Sequence, residues 1–258
     1  MSPATYLRGK IVERRDLTPT LWAIRVLPEE KLAFVPGQYV ALGVPQGGKI
    51  IERPYSFVNA PHQDELEFFL ELVPGGRLTP LLYRLGVCEE VFLRRTAKGR
   101  FAFDETGRPA HHLMIATVTG VAPFLSMLRD MARKAAPPPA SILLLQGASL
   151  SVELGYSGEL ATFAREHEWF HYVPSLSREW LSPNWDGERG RVDDIVRKYA
   201  DALGFTAAHT TAYLCGNPQM IQNVRGILRR GGFAGESIRE EMYWPGVPST
   251  PASVSVPV

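Results

Sequence analysis

The sequence predicts two domains of different class: an N-terminal six-stranded antiparallel β-barrel over residues 1–107, then a parallel α/β domain over 108–244. Three observations carry that prediction. Short apolar runs recur at fairly even spacing up to about residue 105, each bounded by turn residues, as in a small barrel. Beyond Pro109 strands begin to alternate with helices, which builds a parallel sheet covered on both faces. A chain of 258 residues, 45% hydrophobic and 21% charged, is ample for two ordinary globular cores.

In the first domain the strand candidates are 11–12, 21–26, 38–42, 56–58, 66–72 and 90–93. Pro36-Gly37, Gly47-Gly48 and Pro74-Gly75-Gly76 supply turns between them. One helix interrupts the pattern, because Leu78, Leu81, Leu82 and Leu85 share a face just after Gly75-Gly76. In the second domain 112–118 reads as a buried strand, and a helix over 123–134 opens on Pro123. The Pro-rich loop 136–139 leads into a strand at 141–146. Helix 158–167, strand 169–174, helix 192–203, strand 211–215 and helix 218–230 follow. Residues 245–258 are rich in Pro and Ser and carry no charged side chain, so this C-terminal tail is expected to be disordered or to lie extended on a surface.

Composition narrows the function classes. A net charge of +1 makes no case for nucleic acid, and no apolar run approaches the ~18 residues of a membrane span. The N-terminus lacks the basic-then-apolar layout of a signal peptide, so a soluble cytoplasmic monomer is expected, with no membrane partner. Two cysteines, Cys88 and Cys215, cannot supply the four ligands of an iron–sulfur cluster or structural zinc site, and the six histidines show no metal spacing, so no metal site is expected. Arg94, Arg95, Lys98 and Arg100 form a basic cluster, either a solvated face or a dock for an acidic protein.

Five segments can carry chemistry. Arg53-Pro54-Tyr55-Ser56 places a guanidinium, an aromatic ring and a hydroxyl together. That set suits a flavin: charge for its pyrophosphate, a flat face for its ring, a hydrogen bond for its reactive edge. An ordinary barrel edge is the plainer alternative. Gly75-Gly76-Arg77-Leu78-Thr79 opens a helix and offers an anion site, or merely a turn and cap. Thr117 to Phe124 is a strand-to-helix turn in which Gly120 lets a ligand approach the backbone, or is an ordinary loop. Cys215-Gly216-Asn217-Pro218 follows an apolar strand, where an α/β sheet usually places its ligand; the thiol could flank a planar ring or simply fill the core. Glu241-Met242-Tyr243-Trp244 brings a carboxylate and two aromatics, for stacking or for pinning the terminus.

The order of these motifs resembles the ferredoxin–NADP(+) reductases, specifically the bacterial type with a C-terminal Tyr-Trp. The resemblance runs from Phe34-Val35-Pro36-Gly37-Gln38-Tyr39 to Trp244, closest over 53–104 and 215–220. It implies an FAD-holding barrel and a nucleotide-binding α/β domain for NADP(H). FAD would be contacted by Arg53, Pro54, Tyr55, Ser56, Phe69, Leu70, Glu71, Leu72, Gly76, Arg77, Leu78, Thr79, Thr119, Tyr243 and Trp244. NADP(H) would be contacted by Gly120, Ser149, Ser177, Arg178, Arg191, Gly216, Asn217 and Met220, with Arg178 and Arg191 holding the 2′-phosphate. Ser56, Cys215, Glu241 and Tyr243 would serve catalysis: Ser56 reaching the hydride-accepting nitrogen, Cys215 beside the nicotinamide, Glu241 helping proton supply and Tyr243 covering the flavin.

The implied activity is hydride transfer between NADP(H) and FAD, and single-electron exchange between FAD and ferredoxin or flavodoxin. A flavin or quinone reductase, or an FAD-binding redox sensor without turnover, are the alternatives. Three departures from the family pattern stand out. Val118 replaces the first Gly of a Gly-Thr-Gly turn, where its branch could crowd the nucleotide. Ser149 stands where relatives often carry a third Arg, a loss of roughly 1.5–3 kcal/mol of NADPH binding. The tail after Trp244 is the third.

Overall fold

The computed structural model describes residues 5–103, 110–134 and 141–243; the expected domain junction near 107, the loop at 136–139, Trp244 and the 245–258 tail lie outside the described residues. The first sheet contains β1 (Tyr6–Asp16), β2 (Leu21–Pro28), β3 (Tyr39–Gln46), β4 (Lys49–Ser56), β5 (Leu66–Glu71) and β6 (Glu90–Arg94). Its order is β4-β3-β6-β1-β2-β5, and every pairing is antiparallel. The sheet curls until its two ends meet, the Val58 amide just past β4 donating to the Glu67 carbonyl on β5 at 2.9 Å. Inside, Trp22, Leu42, Phe68, Leu70 and Val91 pack with Leu78 and Leu82 from the short helix α1 (Thr79–Tyr83).

One strand falls differently from its sequence reading. The segment expected to begin at Ser56 instead ends there: β4 pairs with β3 from Gln46↔Lys49 to Tyr39↔Ser56. The hairpin turns on Gly47 and Gly48, both at positive φ (57° and 75°), which only glycine adopts freely. β4 is an edge strand, and that is why Pro54 fits within it. Arg53-Pro54-Tyr55-Ser56 is therefore the end of a strand rather than its approach.

The second sheet is parallel, in the order β10-β9-β8-β7-β11-β12. Its strands are β7 (His111–Thr117), β8 (Ser141–Ala148), β9 (Phe170–Leu176), β10 (Glu188–Arg189), β11 (Thr210–Gly216) and β12 (Ile238–Met242). Helices α2 (Ala122–Ala132) and α3 (Ser157–Glu166) cover one face; α4 (Val192–Ala202) and α5 (Pro218–Arg230) cover the other. Along β7, Met114 and Ala116 pack with Phe124, Leu128 and Leu160, while Leu113 and Ile115 pack with Val196 and Val224. That period of two explains the unbroken apolar run of the strand. Strands β8 to β10 lie on one side of β7, and β11 and β12 on the other, so the order reverses between β7 and β11. A crevice at the carboxyl ends of such a pair is where open α/β sheets bind ligands.

A buried ion pair joins the two domains. The Glu67 carboxylate, 4% exposed on β5, accepts from Arg129 Nη1 and from the Tyr156 hydroxyl, both at 2.7 Å. Arg129 on α2 also forks onto Glu159 at 2.7 and 2.8 Å and donates to the Val58 carbonyl at 3.1 Å. Ser126 Oγ donates to the Asn59 carbonyl at 2.7 Å, and the Phe69 ring meets Tyr156 edge-on at 5.4 Å. Burial, reinforced by Glu67, pushes the Tyr156 phenol well above its ordinary range, so it stays a donor. Arg129→Met strips buried Glu67 of its close cation, leaving Arg25 Nε at 3.9 Å, and is expected to cost about 3 kcal/mol in a urea titration. A loss below about 1 kcal/mol would show that apolar packing around Phe69, and not the ion pair, holds the domains.

Candidate active site

The ends of β7 and β11 are stitched together at the reversal point. Thr117 Oγ1 accepts the Asn217 amide at 2.8 Å. A Cβ on Gly216, which sits at φ 121°, would come within 2.3 Å of that same oxygen. A Cβ on Gly120 would come within 2.3 Å of the Cys215 carbonyl. Gly120 thus serves the meeting of two loops, and its missing side chain is filled by backbone. Asn217 caps α5, its Oδ1 accepting from the amides of Gln219 (2.8 Å) and Met220 (3.2 Å). The Met220 side chain points into the core beneath the loop.

β12 brings the C-terminal carboxylate to this point. Its register sets Glu241 opposite Cys215, and the Tyr243 amide donates to the Gly216 carbonyl at 2.9 Å. Ser56 arrives from the other domain at the end of β4. The Tyr243 hydroxyl donates to Ser56 Oγ at 2.8 Å, and Ser56 Oγ donates to Glu241 Oε1 at 2.7 Å. Cys215 is fully buried beside Tyr243 and Glu241. Burial pushes the Cys215 thiol up, and the neighbouring Glu241 charge pushes it further, so it is a thiol and not a thiolate nucleophile. Burial likewise raises Tyr243. It raises the Glu241 carboxyl too, with the Ser56 hydrogen bond opposing in part. Tyr243, Ser56 and Glu241 form a connected array, with Cys215 beside it, suited to holding and passing a proton.

Beside the array, Arg53 and Tyr55 share one face of β4. Arg53 is exposed; it donates to the Glu52 carbonyl at 2.8 Å, and no carboxylate among the described residues pairs with it. Tyr55 is half-buried against the barrel core. An unneutralised guanidinium next to a supported flat ring fits a diphosphate joined to a planar cofactor. The other residues expected around FAD divide by role. Phe69 packs between the domains, and Leu70 and Leu78 are barrel core. Thr79 Oγ1 accepts the Val73 amide at 3.0 Å and so fixes the 73–79 loop. Glu71 and Arg77 are exposed, and Leu72, Gly76 and Thr119 half-exposed, so these five remain at the surface. Helix α1 is only five residues long, so Arg77 carries more of the positive charge there than the helix dipole does.

Of the residues expected around NADP(H), Ser149, Ser177, Arg178 and Arg191 gather beyond β8 and β9, whereas Gly120, Gly216, Asn217 and Met220 belong to the β7–β11 junction. The Ser177 amide donates to the Ala148 carbonyl at 3.0 Å, and the Arg178 amide to the Ser149 carbonyl at 3.1 Å. Gly190 donates to the Leu176 carbonyl at 2.8 Å, which sets Arg191 at the same end. Arg178 is exposed, whereas Arg191 Nε is engaged by Asp193 at 3.1 Å. Three participants escaped the sequence reading: Thr117, the Arg129–Glu67 pair and strand β12. Ile238-Arg-Glu-Glu-Met has the charge of a surface loop and is half-buried along its whole length, so no alternation marks it as a strand.

Comparison with known proteins agrees with this fold. Residues 18–103 match the family described as oxidoreductase FAD-binding domain, and 114–226 the one described as oxidoreductase NAD-binding domain. The chain is 31% identical over 236 residues to ferredoxin–NADP reductase B of Sorangium cellulosum, covering 89% of this chain and 93% of that protein. It is 29% identical over 230 residues to the flavodoxin/ferredoxin–NADP reductase of Escherichia coli K12, covering 86% and 89%. A ferredoxin NADP+ reductase from Neisseria gonorrhoeae, solved with bound FAD and NADP, superposes with a TM-score of 0.84 at 26% identity, covering 93% of this chain and all of that one. The chain belongs to the ferredoxin–NADP reductase family of oxidoreductases, with an FAD-binding domain followed by a NAD-binding domain.

Proposed function

We propose that this protein transfers hydride between NADP(H) and FAD, and single electrons between FAD and a ferredoxin or flavodoxin. The observation that carries the reading is the Tyr243–Ser56–Glu241 hydrogen-bonded chain over Cys215, built where the edge strand of one domain meets the reversal point of the other. When bound, FAD supplies the conversion between a two-electron hydride and two single electrons. Tyr55 offers the ring face that supports a flat cofactor, and Arg53 and Arg77 offer charge to its diphosphate. Ser56 and Glu241 hold a proton at the reactive edge. Cys215, fully buried, keeps the wall on the nicotinamide side small and neutral, while Arg178, Ser177 and Ser149 face the adenosine end. The names of the relatives support a carrier protein as the electron partner. Lys98 and Arg100 support an acidic one; Arg94 and Arg95 already pair with Glu52 and Glu30.

The decisive experiment is an anaerobic titration of the purified protein with NADPH and, separately, NADH, followed by addition of ferredoxin. Bleaching of the flavin band by NADPH and saturable reoxidation by ferredoxin are expected; a yellow protein that neither nucleotide bleaches would remove the reductase reading.

Tyr55→Ala is expected to lose most of its FAD on gel filtration, and a fully loaded, unshifted visible spectrum would count against the stacking role. Arg178→Ala is expected to raise KM for NADPH about tenfold or more, with under a twofold change for NADH. Arg191→Ala, already shared with Asp193, should do less; equal effects on both nucleotides would remove the 2′-phosphate assignment.

Burial raises Glu241, so its carboxyl keeps its proton above the ordinary carboxylate range. Any stability linked to that proton is complete below the unfolded pKa and is lost as pH rises through the raised folded value. Glu241→Gln, which cannot ionise, is expected to abolish the corresponding limb of the pH–kcat profile and to flatten stability over the same interval. An unchanged profile would exclude Glu241 as the proton source.

A further inference from the structure

Val118 occupies the one position at the reversal point where local geometry and side chain conflict. Its φ is 45°, in the left-handed region that a β-branched residue rarely enters. The surroundings impose that angle. Up to Thr117 the chain is locked into the sheet by pairing with Gly147 of β8, and Thr117 is clasped to Asn217. From Gly120 onward it is pressed on the Cys215 carbonyl and turns into α2. Val118 must make the reversal between them. Its side chain is half-buried, packed on one side against the cluster under α2 and on the other against Ala148 at the end of β8, Leu154, and Leu176 at the end of β9.

Sheet order gives this wedge its meaning. The proposed nicotinamide wall, Cys215, lies one residue before the end of β11; the proposed adenosine contacts, Ser149, Ser177 and Arg178, follow β8 and β9. β7 lies between them, so a dinucleotide touching both must cross the end of β7, where Val118 sits. The part that crosses is its pyrophosphate and adjoining ribose. Anions bind most tightly to backbone amides that they can approach without an intervening side chain.

We propose that Val118 limits the affinity of the dinucleotide site, holding the pyrophosphate off the backbone at the end of β7 while leaving the adenosine end untouched. This rests on the NADP(H) reading above. It makes binding of the intact dinucleotide weak relative to its adenosine half, whatever the 2′ substituent.

The test compares NADP+ with 2′-phospho-AMP, which carries the adenosine end but no pyrophosphate bridge. Dissociation constants are measured from flavin difference spectra for NADP+ and by calorimetry for 2′-phospho-AMP, on the FAD-loaded parent, Val118→Gly and Val118→Ala. Val118→Gly is expected to bind NADP+ about tenfold more tightly, with an equal factor for NAD+, and Val118→Ala to fall between. Neither variant should change its constant for 2′-phospho-AMP. The alanine variant answers the same question if the glycine variant fails to retain FAD. NADP+ affinity that stays constant or falls in the folded variants, or 2′-phospho-AMP affinity that rises in step, would overturn the proposal and leave the nucleotide site standing. A parent protein that binds neither ligand would overturn the nucleotide reading and this inference with it.

Discussion

The meeting of the β7 and β11 carboxyl ends is the constraint on which the rest of this structure depends. Thr117 accepts the Asn217 amide, Gly216 lies where any side chain would strike Thr117, and Gly120 lies where any side chain would strike the Cys215 carbonyl. The two loops can close only because both glycines are bare. Once closed, they fix the start of α2, the cap of α5 and the height of Cys215 near the end of its strand. They also force Val118 into an unfavourable backbone region, a local cost of about 1–3 kcal/mol that the surrounding contacts offset.

On that foundation the polar array over Cys215 is assembled from parts distant in sequence. Ser56 and Glu241 belong to different domains, and their hydrogen bond exists only while the domains keep their spacing. The Glu67–Arg129–Tyr156 contact supplies that spacing, since it ties β5 to α2 and to the start of α3 through charged and neutral hydrogen bonds. Truncating one member of a buried pair costs far more than an exposed one, because the remaining charge keeps its desolvation penalty. Domain docking and proton-holding geometry are therefore coupled through a structural ion pair remote from the array.

Much of the fold was legible because it rests on local periodicity. The apolar runs at 112–118, 141–146 and 211–215 became β7, β8 and β11, the first shifted by one residue, the second longer by two at its end and the third by one at each end. The four larger helices of the second domain matched their sequence reading to within a residue or two. β4 was misplaced because Pro54 and the polar residues around it mask an edge strand, whose pairing is visible only from β3. β10 and β12 were missed for a related reason: two residues and a charged pentapeptide have no periodicity to read.

The candidate site divides along the same line. Which residue types are present, in which order, and that Arg53-Tyr55-Ser56 could suit a flavin and Cys215-Gly216-Asn217 a planar ring follow from the sequence by itself, because side-chain chemistry is local; the nicotinamide role came from the family resemblance. Tertiary structure alone decided that Gly120 serves loop closure, that Phe69, Leu70, Leu78 and Met220 are packing residues, and that Arg191 is shared with Asp193. It alone brought Glu241 to Ser56 and set Val118 at a positive φ. Contacts between residues far apart in the chain depend on strand order and domain packing, which no local pattern encodes.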